Sequence, residues 1–314
     1  AVKNDNTEIV SCLLDHIKYE AWRESLLVSI SMDHDEVSTM MINSKEFDHY
    51  MQIAKAGVEI SNTKSKFPAA LTPLMLAADR DQYAIVKLLL DKGAKIPVPH
   101  HAYCTCTKCK DMMMTTDELA IAKTRLFTYR GLASNSYITL QSKDPLLKAF
   151  KLRQALLKNA EIEKYFKAEY HHLASQLSDY AVKLLQQVRT GAELDTILRE
   201  STQHDDTDRL ARLKLAIRYD EKQFVTHPSC QKKIQYLWAD GWGSIQKKSL
   251  FLQLLWCLGF AIIYPILAVT YWISPWTKIG RFLETPVVKF IAEATYYLLF
   301  VGLLVVYSFT ERSS

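Results

Sequence analysis

Residues 100–109 read His-His-Ala-Tyr-Cys-Thr-Cys-Thr-Lys-Cys, the densest run of ligand-type side chains in the sequence. Zinc favours thiolate and imidazole donors in a closed tetrahedron, at roughly 2.3 Å to sulfur and 2.0–2.1 Å to nitrogen. Cys104, Cys106 and Cys109 supply three thiolates, and one imidazole completes the set. The fourth donor is His100 or the adjacent His101, and spacing alone does not choose between them. Four protein ligands leave no position for water or substrate, so the metal reads as structural. So short a run wraps an ion only as a tight loop, and Pro97 and Pro99 help by ending the element before it. The competing reading is a loop of free thiols open to oxidation.

The remaining groups carry less. His171-His172 has no companion ligand at helical spacing, and Gly241-Trp242-Gly243 lacks both a third glycine and a preceding strand. No Gly-x-Ser-x-Gly, His-Glu-x-x-His or phosphate-binding loop occurs, so the chain reads as a protein that is not an enzyme. Cys12, Cys230 and Cys257 are scattered singly, which suits a reducing compartment and not a disulfide framework. A formal charge of +5 is too small to argue for nucleic acid, and no basic stripe interleaved with aromatics occurs.

The element that must position the loop lies directly before it. Thr72-Pro73 makes a tight turn opening a helix with Leu74, Leu76, Ala77 and Ala78 on one face. Asp79-Arg80-Asp81 breaks it. Ile85, Val86, Leu88, Leu89 and Leu90 build a second helix, which Gly93 stops. Thr-Pro-Leu-x-Leu-Ala-Ala followed by Ile-Val-x-Leu-Leu-Leu-x-x-Gly-Ala is the ankyrin pattern, with Met75 where histidine is usual. Weaker copies are expected over 1–17 and 26–42, at irregular spacing, and stacking requires neighbours, so a complete array is expected to extend before Ala1.

Beyond the loop the pattern predicts helices throughout, so the fold class is all-α. Asp144-Pro145 caps one helix. A continuous apolar stripe from Ile162 to Val188 predicts the next, packed in a bundle, and a basic helix is expected over 210–225. Phe251–Ile273 carries no charge, and Val287–Phe309 carries only Lys289 and Glu293, so both are long enough to meet a bilayer. Their connector, taken with the first turn of the second segment, holds Lys278, Arg281 and Lys289 against Glu284, and basic connectors stay on the cytoplasmic side. With Gly259, Pro265 and Ser274-Pro275 favouring a bend, 249–276 is expected to enter and return as a half-inserted elbow. Residues 287–309 then make the first true crossing, and residues 1–248 are cytoplasmic.

The stretch FPAALTPLMLAADRDQYAIVKLLLDKGAKIPVPHHAYCTCTKC (67–109) resembles the TRPC subfamily of transient receptor potential cation channels. There the last ankyrin repeat runs into Pro-x-Pro-His and then Cys-x-Cys-x-x-Cys, here Pro97, Pro99, His100, Cys104, Cys106 and Cys109. The resemblance therefore makes His100 the imidazole ligand. It continues through 142–154, 163–176, 210–231 and 236–242 into both apolar segments. One departure stands at 242–248, where relatives carry Pro-Gly and an arginine cluster, and any lipid contact ascribed to that cluster loses its basis here.

The resemblance implies ankyrin repeats over 1–99, a zinc-binding loop over 100–110 and a helical linker domain over 111–236. A pre-S1 region with the elbow over 237–284 and the first transmembrane helix over 285–310 complete the implied order. It implies the N-terminal part of a subunit of a tetrameric, calcium-permeable, nonselective cation channel of the plasma membrane, multi-pass and operated downstream of phospholipase C. The implied cofactor is structural Zn2+. Implied partners are other subunits in a homo- or hetero-tetramer, membrane lipid and cytosolic regulatory proteins on the repeats, and no nucleic acid. The family's pore helices lie outside this sequence, so the chain is not expected to conduct by itself. The alternative is a membrane-anchored ankyrin adaptor that forms no pore.

Overall fold

A computed structural model of the chain describes residues 1–14, 16–55, 65–199, 210–238 and 285–313, with isolated positions between 249 and 263. Among the described residues every regular element is helical. The chain divides into two compact units, Ala1–His227 and Pro228–Ser314.

The first unit is built on stacked helical hairpins. After a short turn at Val2–Asn4 and α1 (Thr7–Leu14) come α2 (Tyr19–Ser31), α3 (Asp35–Ile42) and α4 (Lys45–Lys55). The best repeat follows as α5 (Pro73–Asp79) and α6 (Tyr83–Asp91). Thr72 caps α5 by accepting the Met75 N–H at 3.2 Å, and Pro73 sits where its missing N–H costs nothing. Gly93 ends α6 at φ 86°, a conformation that side chains with a Cβ resist. The helix α2 packs on α5 and α3 packs on α6, the repeat-on-repeat arrangement that single ankyrin hairpins need. The copy expected at 26–42 thus begins earlier, at Tyr19.

A third hairpin continues the stack after the cysteine loop. Past α7 (Thr107–Thr115), the helices α8 (Glu118–Leu132) and α9 (Asn135–Gln141) pack on α5 and α6 as those two pack on α2 and α3. Ala77 and Ala78 are fully buried and Gly131 is too close to its neighbours for a side chain: an added Cβ would lie 3.0 Å from Ile96 Cδ1 and 3.2 Å from Met75 Cα. Small residues on both sides let α5 and α8 approach closely. One hydrophobic cluster runs without interruption from Val10 to Tyr180.

Two predicted helices are divided. The stripe from Ile162 to Val188 is not one helix: α10 (Pro145–Ile162) stops, the chain makes a turn at Lys164–Phe166, and α11 (Lys167–Gln186) begins. Glu163 explains the break. Its carboxylate is buried, accepts the Tyr170 hydroxyl at 2.5 Å and pairs with Arg125, which fixes it inside the joint. Tyr170, Leu173, Leu177 and Tyr180 turn inward, and α11 packs chiefly on α10, so the stripe is consumed within the chain. After α12 (Gly191–Leu198), the helix expected over 210–225 is two, α13 (Ala211–Arg218) and α14 (Lys222–Thr226), bent at Asp220 with φ 55°. Beside that bend Glu221 is buried, accepts the Ser178 hydroxyl at 2.8 Å and faces Arg153 at 3.4 Å. Burial pushes its carboxyl above the usual range, against the opposing pull of Ser178 and Arg153.

The second unit contains α15 (Pro228–Trp238) and α16 (Pro286–Ser313). Trp238 and Phe290 bring their rings to 5.9 Å. The 28 residues of α16 extend about 42 Å at 1.5 Å per residue, enough to cross a hydrocarbon core. Leu298, Leu303 and Val306 stand exposed on it, as lipid-facing side chains do. The elbow expected at 249–276 and the connector at 277–284 lie outside the described residues but for isolated positions.

Candidate metal centre

The loop that follows α6 is pinned before it reaches its first ligand. Ile96 is buried against Gly131, and its N–H donates to the Tyr137 hydroxyl at 3.3 Å. Pro97 to Pro99 then carry the chain to His100. A turn closed by the Cys104 N–H on the His101 carbonyl, at 2.9 Å, reverses it. Cys106 holds the N-cap position of α7, and Cys109 lies in that helix's first turn. Both geometries follow from the sequence, because a ligand at the cap and another three residues on face the same way.

The ligand atoms of His100, Cys104, Cys106 and Cys109 all lie within 4.8 Å of one another. His100 Nδ1 stands 3.2 Å from the sulfur of Cys104, 3.4 Å from that of Cys106 and 3.6 Å from that of Cys109. Around a tetrahedral zinc, nitrogen and sulfur donors are separated by about 3.6 Å, which follows from the bond lengths. The donor set and its spacing therefore fit one such ion. His101 is exposed and takes no part in the group. Cys109 is buried, Cys104 and Cys106 are half-buried, and His100 is exposed.

The thiols influence one another strongly. The backbone N–H of Cys109, followed by the thiols of Cys104 and Cys109, draws the Cys106 thiol down to about 6. Cys109 is pushed up to about 11, first because it shares its proton with Cys106 and then by burial. One thiolate is thus held by its neighbours, and a bound dication favours deprotonation of all three.

A second set of ties joins the same hairpins at the opposite end. Asp33 and Asp81 both adopt positive φ, 61° and 56°, at the turns inside successive hairpins. Gln82 Nε2 donates to the Ile30 carbonyl at 2.8 Å and also to Asp33, reaching back one layer. The Asp81 carboxylate reaches forward, accepting the Ser136 N–H at 2.8 Å, the Ser134 hydroxyl at 3.3 Å and the Ser136 hydroxyl. From sequence, Asp81 reads only as part of a polar break. Its partners lie more than fifty residues away, and the one local signal is an aspartate where a left-handed residue is needed.

Stacked ankyrin-type hairpins, a His/Cys3 knuckle between two of them and a helix of membrane-spanning length describe an ankyrin-repeat membrane protein. Residues 71–100 match the ankyrin repeat, and residues 104–167 match the family described as Transient receptor ion channel II. Short transient receptor potential channel 3 of Homo sapiens is 33% identical over 97% of this chain and 35% of its own length. In Drosophila melanogaster, Transient receptor potential-gamma protein is 34% identical over 98% of the chain and 28% of its own length. Transient receptor potential protein of the same organism is 34% identical over 97% of the chain and 24% of its own length. The chain belongs to the transient receptor potential channel family, in its TRPC-type branch. It spans about a third or less of the length of the curated relatives it matches.

Proposed function

We propose that this chain is part of a calcium-permeable, nonselective cation channel subunit, operated by receptors through phospholipase C, in which the first unit serves assembly and regulation. The observation that carries the reading is identity of 33–34% to channel proteins across 97–98% of the chain. In this reading the cytoplasmic surface spans residues 1–248, 249–276 forms the elbow, and 285–310 makes the first crossing of a multi-pass plasma-membrane protein. The repeats take cytosolic regulatory proteins, and neither unit performs catalysis.

Assembly is tested by co-expressing the chain with full-length Short transient receptor potential channel 3 and sizing the detergent-extracted complex. Incorporation into a tetramer and altered receptor-evoked currents are expected. A chain that never enters the channel would favour a membrane-anchored adaptor. Topology is tested by outside labelling of single cysteines at positions 280 and 313. Labelling at 280 but not at 313 overturns it.

His100, Cys104, Cys106 and Cys109 are proposed to hold one structural Zn2+, a reading supported by the donor set and by the 3.2–3.6 Å spacing. When bound, the ion supplies a fixed tetrahedral node with no open position. His100 brings the arm leaving α6 to it, and the three cysteines bring the arm entering α7 and α8. Metal analysis of protein purified without chelator should give one zinc per chain, and less than half an equivalent ends the claim.

A further inference from the structure

We infer that Asp81 is a metal-independent latch on the third hairpin, working in parallel with the cysteine knuckle, so that α8/α9 leaves the stack only when both are lost. The inference rests on the zinc reading of the knuckle for one of its two arms.

The two ties act on the same body from opposite sides. The knuckle closes the crossover between α6 and α8: His100 belongs to the arm pinned at Ile96, and Cys106 and Cys109 belong to the helix leading into α8. Opening it lengthens the tether, and loop entropy then works against the stacking of α8 on α5. It does not touch Asp81. That carboxylate lies in the turn between α5 and α6 and accepts three donors at the start of α9, one of them a backbone N–H at 2.8 Å. Carboxylate bonds of this kind are stronger than neutral ones, and negative charge at the start of a helix is favourable. Ser134 and Ser136 are themselves buried, so losing the Asp81 carboxylate leaves the Ser134 hydroxyl and the Ser136 N–H short of an acceptor, while the Ser136 hydroxyl keeps the carbonyl of residue 81 at 3.2 Å.

In a stack whose layers touch only their neighbours, the terminal layers separate when the ties at one junction fail together. Three observations make the junction between α5/α6 and α8/α9 such a place. Its crossover is long, its two ties are at different ends, and its helices approach so closely that a Cβ added at Gly131 would lie 3.2 Å from Met75 Cα. Asp81 is therefore a positioning residue: it keeps α9 registered on α6 whatever the state of the thiols.

The test is hydrogen exchange on the full chain in detergent, metal-loaded and chelated, for the unmodified protein and for Asp81→Gly. Glycine keeps the positive φ without strain and removes the carboxylate. Metal content is measured in every sample. The expected result is that chelation alone speeds exchange in 104–115 but leaves 126–141 protected. Asp81→Gly alone speeds exchange near Ser136, and the two together speed all of 118–141 by about ten- to a hundredfold, the factor for bonds to charged groups. Asp81→Asn, which tolerates the same turn and keeps an acceptor, should restore most of the protection. Equal exchange over 126–141 in chelated unmodified protein and chelated Asp81→Gly overturns the latch. So does unchanged exchange around Ser136 on substitution. If the loaded samples hold no zinc, the zinc reading fails separately, and the latch is then judged by Asp81→Gly alone, which should release 118–141 by itself.

Discussion

The hairpins α5/α6 and α8/α9 occupy successive, equivalent places in one stack, yet they are held by different means. The first carries its instructions locally: Thr72 caps, Pro73 starts, and Gly93 stops. The second has a local cap in Ser134, which accepts the Tyr137 N–H at 3.3 Å, but its place is set by two ties to other layers, at Asp81 and across the cysteine knuckle with its arm pinned at Ile96. Local signals make a hairpin; ties between layers make its position. A stack therefore extends beyond the residues that carry a repeat signature.

The largest expected effect comes from the knuckle. Cys106→Ser should abolish stoichiometric zinc and lower Tm by about 10 °C or more, with the local loosening concentrated in the loop and α7 while Asp81 still holds α8 and α9. Thermal unfolding with and without chelator checks it. A melt identical to that of the unmodified chain would mean that the knuckle holds nothing together.

Next is the contact beneath both ties. Gly131→Ala places a Cβ against Met75 backbone and should cost about 1–3 kcal/mol, the usual range for overpacking. Ile96 can rotate its terminal methyl away, whereas the α5 backbone cannot, and chemical denaturation measures the difference. An unchanged midpoint would show that α5 and α8 have room to slide, and the comparison would lose its rigid reference.

The caps make the most direct comparison. Thr72→Ala and Ser134→Ala each remove a cap bond, for about 1 kcal/mol. Ser134→Ala additionally removes a donor to Asp81, so it should cost more than Thr72→Ala. Equal costs would indicate that the tie between layers adds little to the local cap.

The smallest effect concerns acid. Burial raises the Glu221 carboxyl above its unfolded value. Its contribution is full below the unfolded pKa and is lost as pH rises through the raised folded one. Glu221→Gln should flatten that fall above the ordinary carboxylate range, while the ties at Asp81 remain untouched. Denaturation midpoints across pH read the slope, and an unaltered slope would remove the effect.

Legibility followed the same division. The α5/α6 hairpin, the Asp144 cap on α10 and the ligand run were readable because each is written within a few residues. The break at Glu163 was not, because a glutamate in an amphipathic helix reads as a solvent position until Arg125 and Tyr170 are seen around it. The third hairpin was missed as a stacking layer for a related reason. Its defining feature, the approach of Gly131 to Met75, joins residues with no periodic relation. His100 was separable from His101 only through the family resemblance, since both stand at workable spacing. The structure turns one toward the sulfurs and leaves the other outside.

The compactness of the ligand run bears on biosynthesis. His100, Cys104, Cys106 and Cys109 leave the ribosome almost together, and none waits for a later segment. In the proposed zinc reading, an ion can therefore be captured on the nascent chain while α8 and α9 are still inside the ribosome. The knuckle is then a finished template when the third hairpin arrives, and the order of synthesis becomes the order of stacking.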